Sequence, residues 1–232
     1  MLETVKNYLL DLIFPPLCLG CQLEGSLLCG VCSKKLPVFN TIVCPQCHKK
    51  LPGTEPLLWK CSIHGAKSKL KFVAYSTLYD NQLAKKIIGT FKYKLVSQLA
   101  EIVSGPMVQN LNQFNFLNFT LVPVPLHKTK FRERGFNQAS LLALEIARQT
   151  GMALAEVLIK NKKTKSHTAL NFKERQNNVL GTFECKNPEL IKNKNVLLVD
   201  DISTTGATLE ECAKVLKQNG ARYISALVVA RG

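Results

Sequence analysis

Residues 196–208, VLLVDDISTTGAT, restrict the fold of this chain more than any other stretch. The apolar run 196–199 is too short and too β-branched for a helix, and reads as a strand buried on both faces of a parallel sheet. Two carboxylates, Asp200 and Asp201, stand at its carboxyl end. A turn of small and hydroxylated residues follows, Ser203-Thr204-Thr205-Gly206, and leads into a helix expected to begin near Thr208. Open α/β sheets bind ligands outside the carboxyl ends of their strands. A turn of this kind can wrap a phosphate with backbone N–H groups, threonine hydroxyls and the positive end of the helix. The acid pair repels phosphate and suits vicinal hydroxyls or a metal ion. Phosphate on one side and a diol on the other describe a ribose 5-phosphate. The plainer alternative is a strand–turn–helix whose acidic residues only cap the helix.

These residues resemble the phosphoribosyl-pyrophosphate (PRPP) loop of type I phosphoribosyltransferases. The resemblance implies that Thr204, Thr205, Gly206, Ala207 and Thr208 cradle the 5-phosphate. It also implies that Asp200 and Asp201 hold the ribose hydroxyls, with Mg²⁺ on the pyrophosphate. The chain departs from the purine-type pattern at Thr204, where those members carry an acidic residue that acts on the leaving base.

Seven of the nine cysteines fall within the first 61 residues, as Cys18-x2-Cys21, Cys29-x2-Cys32, Cys44-x2-Cys47 and Cys61, and His64 follows Cys61 at the same spacing. Each pair forms a knuckle that points two ligands at one metal, and two knuckles close a tetrahedron. One or two structural Zn²⁺ ions follow, with disulfides the alternative in an oxidising compartment. Pairing in sequence order gives Cys18/Cys21/Cys29/Cys32 and Cys44/Cys47/Cys61/His64, a double zinc ribbon, and a crossed pairing is equally compatible with the spacing. A lone surface histidine is the alternative for His64. The short apolar segments here cannot bury a core, so metal is expected to hold this module folded. Cys185 and Cys212 are expected to be ordinary buried residues.

With 31 Lys and Arg against 16 Asp and Glu, the formal charge is +15. Residues 1–66 hold six basic and four acidic groups, so nearly all the excess lies after residue 66. It clusters at Lys85/Lys86/Lys92/Lys94, Lys128/Lys130/Arg132/Arg134, Lys160/Lys162/Lys163/Lys165 and Lys173/Arg175. Such clusters fit a pyrophosphate ligand or a nucleic-acid backbone. Phe91, Tyr93, Phe131, Phe136 and Phe172 lie close to them. Cations with aromatics suit single strands, whose bases stack, though Phe91 and Phe172 read better as core.

The sequence divides into an N-terminal helix plus double zinc ribbon over 1–66 and an α/β domain over 67–232. Strands are expected at 71–79, 120–125, 196–200 and 223–230, and helices at 81–93, 97–111, 139–151 and 208–219. Alternation of the two implies a parallel sheet flanked by helices. LHKTKFRERGFNQ (126–138) reads as a loop after a strand, with Lys128, Arg132 and Arg134 as donors for pyrophosphate. Residues 160–178 read as a mobile basic loop running into a short helix, with Lys165, His167, Lys173 and Arg175 as ligand candidates. No run of about 18 apolar residues occurs, so no transmembrane segment is expected. The start, MLETVKNYLLDLIFPP, carries Glu3 and Asp11 and lacks a small-residue cleavage site. It reads as a docking or membrane-surface helix of a cytoplasmic protein rather than a signal peptide.

The cysteine-rich leader, VPVPLHKTKFRERGFNQA, KERQNNVLGTF and VLLVDDISTTGAT, in that order, resemble the competence protein F family. That resemblance implies a type I phosphoribosyltransferase-like domain behind an N-terminal zinc ribbon, and His64 replaces a usual cysteine. It implies a part in natural transformation or in the use of DNA as a nutrient. Members act at the inner face of the cytoplasmic membrane, near a helicase-like ATPase and the membrane channel that import a single strand. Two expectations of different class result: a DNA-uptake factor that binds single-stranded DNA and a ribose phosphate, or a working Mg²⁺-dependent phosphoribosyltransferase. A ligand-free docking protein is a third.

Overall fold

The computed structural model describes residues 15–39, 41–52, 61–64, 67–93, 97–114, 116, 118–162, 174 and 178–232. Residues 1–14, with most of the expected N-terminal helix, lie outside them, as do Lys165, His167, Phe172, Lys173 and Arg175.

After one helical turn, α1 (Gly30–Ser33), the elements are β1 (Thr41–Val43), β2 (Val73–Leu78), α2 (Gln82–Tyr93), α3 (Ser97–Gln113), β3 (Thr120–Pro123), α4 (Lys128–Arg134) and α5 (Gln138–Thr150). There follow β4 (Leu158–Lys160), β5 (Phe183–Cys185), a single 3-10 turn at Pro188–Leu190, β6 (Asn195–Ser203), α6 (Ala207–Gln218) and β7 (Tyr223–Arg231). Five strands form the main sheet in the order β1-β2-β7-β6-β3, parallel except for β1. The expected mixed α/β fold with a parallel sheet is present.

β6 occupies the interior of that sheet because its run 196–199 has no polar side chain to solvate, and all four residues are fully buried. Each contributes about 1.5–3 kcal/mol of burial. Alternation along the strand sends Leu197 and Val199 to one core with α2, α3 and α5, while Val196 and Leu198 face Leu209, Cys212 and Leu216 of α6. The helices that follow β3 and β6 therefore leave toward opposite faces of the sheet. Adjacent strands whose connections diverge in this way open a crevice at their carboxyl ends.

Three features depart from the sequence reading. β6 runs to Ser203, so the acid pair belongs to the strand, with Asp200 opposite Val228 of β7. Residues 128–134 form a helix, with the His127 Nδ1 accepting from the Thr129 N–H at 3.2 Å at its start and Gly135 (φ 81°) closing it. The strand pair β4–β5 brackets the segment expected as a mobile loop. Cys212 is fully buried as expected, whereas Cys185 is half-buried. β1 of the cysteine-rich region extends the main sheet antiparallel to β2, Ile42 opposite Ala74. Ile42, Cys44 and Leu51 share the core that holds α2 and α3.

Candidate functional site

Two tetrads of ligand atoms stand in the N-terminal region, Cys18/Cys21/Cys29/Cys32 and Cys44/Cys47/Cys61/His64, each with all its ligand atoms within 4.8 Å of one another. This is the sequential pairing, and the crossed one is excluded. In the first, the sulfurs of Cys21 and Cys29 are 3.7 Å apart. In the second, Cys47 and Cys61 are 3.8 Å apart, and the His64 Nδ1 lies 3.7 Å from Cys61 and 4.0 Å from Cys44. A tetrahedron with Zn–S bonds of about 2.3 Å has an edge of about 3.8 Å. The donor sets fit structural zinc.

Backbone amides prepare the thiols for that role. The Cys29 N–H donates to the Cys18 Sγ at 3.4 Å and leads the causes that lower the Cys18 pKa to about 6. The Ile63 amide is the first cause of an equal lowering at Cys61. Burial, followed by the neighbouring sulfurs, raises Cys32 to about 12, so that group needs a cation at the tetrad to become a thiolate.

The crevice at the carboxyl end of β6 is a pocket of about 270 Å³. One wall is the stretch 200–208, which contains Asp200, Asp201, Thr204, Thr205, Gly206, Ala207 and Thr208. The turn closes at Gly206, whose φ of 72° is the left-handed conformation that a side chain resists. From there α6 begins, and its first N–H groups have no carbonyl within the helix to bind. The Ala207 N–H donates to the Thr205 Oγ1 at 3.4 Å, which draws the turn tight around the helix start. Asp200 accepts from the Asp201 N–H at 2.8 Å, and Asp201 from the Ile202 N–H at 2.7 Å. Burial, with Asp201 as the second cause, raises the pKa of Asp200 well above the usual carboxylate range.

The opposite wall carries four cations, Lys92 from the end of α2, Lys130 and Arg134 from α4 and Lys160 from β4, together with the His127 ring at the start of α4. Lys92 lies 3.6 Å from Asp201. Gln138 fixes two of these elements, donating to the Lys92 carbonyl at 3.1 Å and accepting from Arg134 at 2.9 Å. Desolvation is the first cause that lowers the pKa of Lys130, with Arg134 and Lys92 adding to it. Lys160 is lowered by desolvation and then by Lys130. This wall gathers positive charge that a polyanion would relieve.

Of the donors expected in this segment, Arg134 lines the pocket, while Lys128 and Arg132 project from the exposed side of α4. Lys92, Lys130 and Lys160 belonged to the basic clusters without being singled out, and His127 went unread. Four-residue spacing could have sorted them, because on a helix Lys130 shares a face with Arg134 and Lys128 with Arg132. Phe91 and Phe136 are core residues, whereas Tyr93 and Phe131 are 78% and 48% exposed. The Arg134 guanidinium lies 5.8 Å from the centre of the Tyr93 ring.

Residues 9–62 match the double zinc ribbon domain, and residues 134–232 match the phosphoribosyl transferase domain. Competence protein ComFC of Bacillus subtilis (strain 168) is 29% identical over 153 residues, 65% of this chain and 61% of that protein. Competence protein F of Haemophilus influenzae is 34% identical over 116 residues, 48% of this chain and 49% of the relative. The DNA utilization protein YhgH of Escherichia coli (strain K12) is 30% identical over 112 residues, 48% of each chain. The matched stretches thus span from about half to about three-fifths of these relatives. A solved purine phosphoribosyltransferase from Pyrococcus horikoshii Ot3 is 18% identical, covering 56% of this chain and 80% of that one, with a TM-score of 0.36. With the zinc ribbon in front, the transferase-type domain behind and relatives of that name, the chain is similar to the competence protein F family.

Proposed function

We propose that this protein is a competence-type DNA-uptake factor whose crevice at the end of β6 binds PRPP or a related ribose phosphate. One observation carries the ligand: a hydroxyl-rich turn at a helix start, a carboxylate pair and a wall of four cations meet in a single pocket. Phosphate fits the turn and the first amides of α6. The ribose hydroxyls fit Asp200 and Asp201, whose carboxyl oxygens can accept hydrogen bonds from a vicinal diol. Pyrophosphate, with its Mg²⁺, fits the side of Lys130, Arg134 and Lys160. The relatives' names, competence and DNA utilization, support the cellular role. Single-stranded DNA is assigned to the outer face of α4, where Lys128 and Arg132 stand beside the exposed ring of Phe131. Lys173 and Arg175 remain candidates for the same strand or for pyrophosphate. We place the protein at the inner face of the cytoplasmic membrane, beside the helicase-like ATPase and the import channel. The zinc-bearing region 1–66 and the domain 67–232 are its proposed units.

Titration of PRPP with Mg²⁺ by calorimetry into wild type and an Asp200→Asn/Asp201→Asn variant tests the pocket. Binding to wild type that is lost in the variant is the expected result. Absence of heat with wild type would overturn the ribose-phosphate assignment and leave DNA as the ligand.

The intact loop and the cationic wall favour one second reading, an active Mg²⁺-dependent phosphoribosyltransferase. Lys130 and Arg134 would then stabilise departing pyrophosphate while an acceptor attacks C1 of an oxocarbenium-like ribose. Thr204, exposed at the pocket wall, offers no general base, so the acceptor would have to arrive already nucleophilic.

A further inference from the structure

The second metal tetrad sits directly behind the phosphate loop. Its first knuckle is a tight turn: the Cys44 Sγ accepts from the Gln46 N–H at 3.4 Å and the Cys44 carbonyl from the His48 N–H at 3.0 Å. His48 leaves the turn with φ 56°, a strained conformation for a side-chain-bearing residue. That turn faces Thr205, Gly206 and Ala207 across a cavity of about 60 Å³. The Pro45 carbonyl oxygen lies 3.9 Å from the position a Cβ on Gly206 would take. His48 and Tyr75 line this cavity, and the His48 Nδ1 is buried without a hydrogen-bond partner among the described residues. A cavity this polar and this large has room for ordered water that would join the knuckle to the loop.

A second attachment starts from the other end of the tetrad. The His64 carbonyl accepts from the Lys67 N–H at 2.9 Å. Immediately after, the Ser68 hydroxyl and the Lys69 N–H each donate to the Glu210 carboxylate at 2.6 Å. Glu210 stands in the first turn of α6, the helix whose start is the phosphate loop. One half of the tetrad therefore faces the loop across the cavity through Pro45–His48, and the other is bonded to the loop's helix through His64, Lys67, Ser68 and Lys69. The first tetrad contributes no residue to this cavity or to the pocket among the described residues.

We propose that the second tetrad positions the phosphate loop: metal held by Cys44, Cys47, Cys61 and His64 fixes the two attachments that give Thr205–Ala207 its phosphate-receiving shape. The inference rests on reading residues 203–208 as a phosphate loop. By linkage, metal and phosphate ligand then strengthen each other's binding reciprocally.

Deuterium exchange on the full-length, ligand-free protein decides the structural half, with metal content measured in parallel. Cys61→Ala/His64→Ala is expected to lose one zinc and to speed exchange of the amides in 203–209. Cys21→Ala/Cys29→Ala is expected to lose one zinc and leave those amides as in wild type. His64→Cys restores four ligands and is expected to restore slow exchange. Ser68→Ala keeps both metals and removes one of the two hydrogen bonds to Glu210, so it should speed exchange in 203–209 alone, even if the tetrad variant fails to fold. Unchanged loop exchange in both Ser68→Ala and the tetrad variant would overturn the proposal. The linked ligand half is read by PRPP titration, where loss of the second metal should weaken binding between about 5-fold and 150-fold. Wild type that binds no PRPP would sink the ribose-phosphate reading, while the exchange result would still decide the positioning role.

Discussion

At the scale of single residues, Asp200 carries the sharpest expectation. Its pKa is raised in the fold by burial and by Asp201, so the ionised form is disfavoured relative to the unfolded chain. The stability associated with its neutral form is fully present below the unfolded value of about 4 and is lost as pH rises through the folded value. Asp200→Asn keeps the oxygen that accepts from the Asp201 N–H and removes the charge. The variant should therefore unfold at a higher temperature than wild type at neutral pH, and the gap should shrink toward pH 4. Ribose-phosphate affinity should move the opposite way, lost in the variant and falling in wild type as acidification protonates the carboxylate. A variant no more stable than wild type across that range would contradict the burial argument. The acids and the loop were readable from sequence because they are contiguous. Lys92, Lys130 and Lys160 were not, because each comes from a different element and only folding shows which lysine of a cluster turns inward.

At the scale of elements, the proposed phosphate loop depends on one backbone angle. Gly206 holds φ 72°, and a Cβ there would meet nothing nearer than 3.9 Å. Gly206→Ala therefore adds strain without a clash, a cost of about 1–2 kcal/mol. Thermal unfolding should drop by roughly 2–8 °C for a chain of this size, with a loss of phosphate affinity as the first amides of α6 shift. An unchanged melting temperature would mean that the loop does not hold this angle in solution. The same physics explains α4. Its sequence shows no apolar stripe, so periodicity gave no helix, and capping by His127 and Gly135 decides it instead. β1, β4 and β5 are three residues each, too short for alternation to register. The long strands and helices carry enough period to be read, and the ends of β6 and α6 moved by only a few residues.

At the scale of the whole molecule, the question is where an excess of +15 acts. Charge inside the pocket suits a small polyanion, whereas Lys128 and Arg132 face solvent on the other side of the same helix. If single-stranded DNA lies on that outer face, each phosphate contact releases counterions, and the slope of log K against log salt is about −0.7 per contact for a single strand. Lys128→Ala/Arg132→Ala should then flatten the slope by about 1.4 and weaken binding with little regard to sequence. Phe131→Ala should weaken binding by about 1–3 kcal/mol without changing the slope, because stacking carries no counterion term. PRPP binding should survive both changes, since none of these three residues lines the pocket. Fluorescence anisotropy of a labelled oligonucleotide over a salt series separates these terms. If the slope is unaltered in the charge variant, the strand runs elsewhere. If PRPP and DNA instead compete in wild type, the strand enters the pocket, and the division of the helix into two functional faces fails.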